Sequence, residues 1–112
     1  MDKKEKENSA SFRLSILLPA LNDIDEITDF IAYVHGEPLN AIKVGDTIFD
    51  TIEKIRKDPC AYKVCDAIPA KTKIYRQAVC MSWLIIYKII KNEIRVLGII
   101  HGGRRPVVLK GT

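Results

Sequence analysis

The side chains best suited to chemistry lie late in the chain. His101 ends an apolar run beside Gly102, and Arg104 and Arg105 follow on a glycine-loosened backbone that can approach a phosphate closely. Lys71, Lys73 and Arg76 precede them in the same half. An imidazole exchanges protons near neutral pH, and a guanidinium clamps a phosphate through two parallel N–H donors. Such groups suit metal-free cleavage of RNA. There the ribose 2′-hydroxyl attacks, the crowded phosphorane needs its charge spread, and the departing 5′-oxygen needs a proton. No strong general base accompanies them, since the acidic residues Asp66 and Glu53 belong to no defensible motif. Each candidate also has a plainer reading. His101 can be a strand-end histidine satisfied by a backbone carbonyl, and Arg76 a strand arginine lying over the sheet.

Charge points the same way as residue type. Residues 1–11 carry three basic and three acidic groups, and residues 12–70 carry six against ten. Residues 71–112 carry nine basic residues against Glu93 alone, a net +8. Lys and Arg concentrated on one structural unit mark an anionic partner, either nucleic acid or an acidic protein segment. The alternative is a solvated face of a basic domain.

Those residues must be positioned by a single core, because 112 residues match one domain of roughly 100–150 residues. Met1–Ser11 has almost nothing apolar to bury and is expected to be a disordered leader, leaving residues 12–112 as one domain. Phe12–Leu18 alternates, with Phe12, Leu14, Ile16 and Leu18 on one face, and reads as a strand ended by Pro19. Leu21, Ile24, Ile27, Ile31 and Val34 then recur at helical spacing, with Asp23, Asp25 and Glu26 expected to favour the helix N-terminus. His35-Gly36 closes this helix and Glu37-Pro38 opens a second, with apolar positions Leu39, Ile42, Ile48, Phe49, Ile52 and Ile55, stopped by Pro59. The short connection predicts an antiparallel helical hairpin. After a loop from Lys57 to about Lys73, the runs Ile74–Met81, Leu84–Ile90 and Ile94–Ile100 are separated by turns around Ser82-Trp83 and Lys91-Asn92-Glu93. Connections this short permit only antiparallel pairing. The expected architecture is α+β: an N-terminal strand, a two-helix hairpin, then a three-stranded antiparallel meander, all in one sheet. Pro106–Leu109 adds a short apolar tail.

Other classes of function find little support. No apolar run reaches the ~18–20 residues of a membrane span, and the N-terminus is charged where a signal peptide is apolar, which makes the cytoplasm the expected compartment. Cys60, Cys65 and Cys80 cannot all pair within one chain and have no nearby histidine, so reduced thiols are expected and no metal or cofactor is. Tyr87 sits in the apolar strand LIIYKII as a core residue whose hydroxyl can reach outward; Trp83 marks a turn, as a surface aromatic or a lid over the helices; His35 caps a helix.

The order of elements, with certain residues, resembles the RelE/ParE toxin family of type II toxin–antitoxin systems, also called plasmid-stabilisation proteins. The resemblance is carried by Pro19-Ala20, Phe30-Ile31-Ala32-Tyr33, Asn40-Ala41 and Ile52…Ile55…Pro59. It is sharpest at Tyr75-Arg76, Leu84–Ile89, Ile94–His101 and Gly102-Gly103-Arg104-Arg105, and it spans about Phe12 to Arg105. It implies an antitoxin partner and one of two targets. RelE-like members cleave messenger RNA in the ribosomal A site, whereas ParE-like members inhibit DNA gyrase. On the first branch, favoured by the residue types, the chain is a ribosome-dependent mRNA endonuclease. Arg76, placed by the family pattern on the same concave face, then joins His101 and Arg105 as catalytic residues, and Lys71, Lys73, Arg104 and Tyr87 bind RNA. RelE-like nucleases bring basic residues from the second helix and following strand, and here Lys71 and Lys73 fall in a loop instead. On the second branch the basic end and apolar tail dock on gyrase without catalysis. A non-toxic relative that only binds an antitoxin is the third expectation.

Overall fold

In a computed structural model the described residues are 12–65 and 74–102. The expected leader Met1–Ser11, the tail Pro106–Leu109, and Asp66, Lys71, Lys73, Arg104 and Arg105 lie outside them. The elements are β1 (Arg13–Ile16), α1 (Leu18–Asp29) running into a π-helical turn (Phe30–Val34), α2 (Pro38–Lys57), a 3-10 turn (Pro59–Ala61), and strands β2 (Tyr75–Cys80), β3 (Trp83–Ile90) and β4 (Glu93–His101). This is the expected α+β order, with sheet order β1-β4-β3-β2.

β1 pairs parallel with β4, while β2, β3 and β4 form the antiparallel meander. A parallel neighbour needs a long crossover; the helical hairpin and the first two meander strands together supply it. Each hairpin turn holds two residues, Met81-Ser82 and Lys91-Asn92, and the first of each adopts positive φ. β1 is shorter than its alternation suggests. Leu17 takes an extended conformation as the helix cap, so Leu18 begins α1 and is exposed. Because α1 starts there, Asp23, Asp25 and Glu26 fall beyond its first turn, where the helix dipole has decayed.

The helices cover one face of the sheet. Ala41, Val44, Ile48, Ile52 and Ile55 form the buried stripe of α2, facing Ile85 and Tyr87 of β3 and Ile94, Val96 and Ile99 of β4. Leu39, Ile42 and Phe49, expected in that stripe, are exposed. Positions 41, 44, 48, 52 and 55 share one helical face, and the second apolar row points elsewhere. A smaller cluster, Cys65, Leu84 and Ile86, lies on the other face of the sheet. There Val64 bridges to Arg76 at the outer edge of β2, with Cys65 N–H donating to the Tyr75 carbonyl at 2.8 Å.

β4 carries a bulge. Tyr87 pairs with Val96 but Ile86 with Gly98, leaving Leu97 as the extra residue. The helix-facing set therefore runs 94, 96, 99 rather than alternating strictly. Asp23 of α1 secures it: its Oδ2 accepts the Ile99 N–H at 2.8 Å. A Cβ at position 98 would stand 3.1 Å from that oxygen, so glycine leaves room for the carboxylate.

Candidate functional site

The polar and aromatic residues gather at two ends of the sheet. At the first, Arg76 of β2 lies opposite Tyr87 of β3 on the helix-facing side. The chain leaving α2 turns through Pro59–Ala61 and brings two backbone carbonyls to meet them. The Tyr87 hydroxyl donates to the Pro59 carbonyl at 2.6 Å, and Arg76 Nη1 donates to the Tyr62 carbonyl at 2.6 Å. The rings of Tyr62 and Tyr87 meet edge to face at 6.3 Å. Tyr87 is fully buried. Loss of water around its hydroxyl pushes the phenol pKa well above its ordinary value, with the Arg76 charge opposing. This end is a closed, hydrogen-bonded plug.

At the second end His101, the last residue of β4, pairs with Trp83, the first of β3. Their rings meet edge to face at 6.2 Å. Gly102 N–H donates to the Ser82 carbonyl at 2.7 Å, holding the strand end against the β2–β3 turn. Between this end and the tip of the helical hairpin opens a cleft of about 710 Å³, lined by Glu26, Phe30, His35, Asn40, Trp83 and His101 among others. Phe30 and His35 rings stand 4.8 Å apart. Both histidines of the chain thus face one cleft.

The two ends are well separated. Trp83 and Tyr87 stand four residues apart on β3, and β2 and β4 flank that strand, so strand geometry puts the Arg76 and His101 backbones about 16 Å apart. Arg76 and Tyr87 come together; His101 joins Trp83 and His35 instead. The involvement of Trp83 and His35 in a common cleft was not read from the sequence. Each looks locally like a turn or cap residue, and they meet because the helical hairpin tip and the β2–β3 turn fall at one end of the molecule. Among the described residues no group of three or more His, Cys, Asp or Glu side chains could hold a metal ion, and Cys60, Cys65 and Cys80 are free thiols. No helix among the described residues is long and apolar enough to cross a membrane.

Comparison with known proteins agrees with the fold. The family model described as ParE toxin of type II toxin–antitoxin system, parDE, matches residues 14–106. The chain belongs to the ParE toxin family. Among solved structures it is similar to one from the chromosomal ParDE toxin–antitoxin system of P. aeruginosa, with a TM-score of 0.66 and 18% identity, covering 81% of this chain and 96% of that one. No curated protein matches.

Proposed function

We propose that this toxin acts by binding its target, DNA gyrase, rather than by cutting RNA, and that a cognate antitoxin neutralises it. The observation carrying this reading is how the sheet ends are used. The Tyr87 hydroxyl and one Arg76 N–H are held by backbone carbonyls of the chain itself, about 16 Å along strand geometry from His101. Acid–base cleavage needs its groups within hydrogen-bond reach of one phosphodiester. The open end, by contrast, has the character of a protein-docking surface: a concave, mainly apolar cleft with Trp83 and Phe30 as anchors and a polar rim of Glu26, Asn40 and His101. Arg104 and Arg105 follow Gly102 by two and three positions in the sequence.

A cleavage mechanism keeps one supporting observation, the exposed His101 at a strand end just ahead of those arginines. It would rest on His101, Arg104 and Arg105, with Lys71 and Lys73 on the RNA. Parallel assays separate the two. The binding reading expects purified protein to inhibit gyrase supercoiling and to leave messenger RNA intact in programmed ribosomes. Cleavage at the A site with unaffected supercoiling would overturn it.

A further inference from the structure

The second apolar row of α2 has no counterpart within the described residues. Leu39, Ile42 and Phe49 are 80%, 62% and 44% exposed, and Tyr33, at the end of the first helix, is 81% exposed. Between the outer sides of α1 and α2 runs a groove of about 500 Å³, floored by Ile24, Ala41 and Gly45 and walled by Tyr33, Ile42 and Phe49. Single exposed apolar side chains are ordinary on a protein surface, but contiguous ones lining a groove mark an interaction site.

The charged residues that line this groove are of one sign. Asp25, Asp29 and Asp46 line it, and no basic side chain does among the described residues. None of the three carboxylates has an ion-pair partner among the described residues. An acidic segment laid here would meet three like charges, whereas Lys or Arg beside its apolar anchors would be attracted. We propose that this groove docks a basic amphipathic protein segment, a helix presenting aliphatic anchors at i, i+3, i+4 and i+7 with Lys or Arg on either side. The charge is opposite to that of the acidic segment suited to the +8 second half of the chain. On this proposal the helices take a partner of the sign opposite to the one expected for the basic second half of the sequence. This holds whichever target the toxin acts on.

Two synthetic helical peptides test it on the full chain, both with leucine anchors, one flanked by arginine and the other by glutamate. Titration followed by fluorescence anisotropy and by amide chemical-shift mapping reads affinity and location. The arginine peptide should bind at least tenfold tighter, weaken as salt shortens the Debye length below about 10 Å, and shift amides within residues 24–49. The charge reversal Asp25→Lys/Asp29→Lys/Asp46→Lys should switch the preference to the glutamate peptide, and the milder Asp→Asn triple variant should abolish it. All three positions are solvent-facing enough to keep the fold, which thermal melts of each variant verify. Equal affinity for the two peptides, shifts centred on Trp83 instead, or no binding at millimolar peptide would overturn the proposal.

Discussion

The two ends of the sheet use similar materials, an aromatic ring paired with a cationic or imidazole side chain, and put them to different ends. At the Arg76–Tyr87 end, the 3-10 turn delivers the Pro59 and Tyr62 carbonyls to the two donors. At the Trp83–His101 end the rings meet each other at the mouth of a cleft, and the neighbouring backbone bond, Gly102 to Ser82, fastens the strand end. Residue type alone does not separate a structural arginine from a functional one. The arrival of a backbone acceptor from a distant part of the chain gives Arg76 a structural partner. The closed end should therefore govern stability, and the open end should govern recognition.

Truncating the two aromatics should break or uphold that division most visibly. Tyr87→Ala removes a fully buried ring and should cost about 3–5 kcal/mol in urea denaturation. Trp83→Ala, only partly buried, should cost clearly less; an equal loss at both would erase the distinction between the ends. Next in size is Arg76→Ala, which leaves the Tyr62 carbonyl without its charged donor and should cost roughly 1.5–3 kcal/mol. His101→Ala, at an exposed position, should stay within about 0.5 kcal/mol.

Tyr87→Phe is subtler, costing about 1–2 kcal/mol as the Pro59 carbonyl loses its partner. The same hydroxyl sets an alkaline limit. Its folded pKa is raised, so its contribution is complete below the ordinary tyrosine pKa of about 10 and is lost as pH rises, because the unfolded chain ionises first. Tyr87→Phe should flatten that alkaline decline in thermal melts. The smallest effect belongs to Glu93, whose carboxyl is held below its usual range by hydrogen bonds from Ser15 and Arg95. Its contribution is present above the ordinary carboxylate pKa and fades as pH falls through the lowered one; Glu93→Gln should remove that slight acid dependence.

The order of elements was legible because each segment keeps a clear period, helical through Ile24–Ile31 and near-alternating through the meander. The face of α2 was only half legible. Leu39, Ile42 and Phe49 are as apolar as the buried positions, and nothing local says that Ala41 and Val44 win the core. The place of β1 beside β4 rests on a non-local contact with no local signal. The bulge mattered most for the site. Counting pairs back from the Lys91-Asn92 turn, with Ile90 opposite Glu93, puts Trp83 opposite Ile100. The extra residue Leu97 moves the pairing to His101 and turns its side chain toward the helices. The Asp23 carboxylate that Gly98 makes room for holds the strand just past that residue, through a bond to Ile99 that joins positions 76 residues apart. Likewise, the bond from Arg76 to Tyr62 depends on where the chain turns after α2, which its strand position does not reveal.

The most direct test is a gyrase supercoiling titration with the wild-type chain, Arg76→Ala and Trp83→Ala, each at matched concentration of folded protein. If recognition belongs to the open end, folded Arg76→Ala inhibits like the wild type, while Trp83→Ala needs at least tenfold more protein. An Arg76→Ala chain that folds but no longer inhibits, beside a Trp83→Ala chain that inhibits fully, would contradict the account and return Arg76 to the functional site.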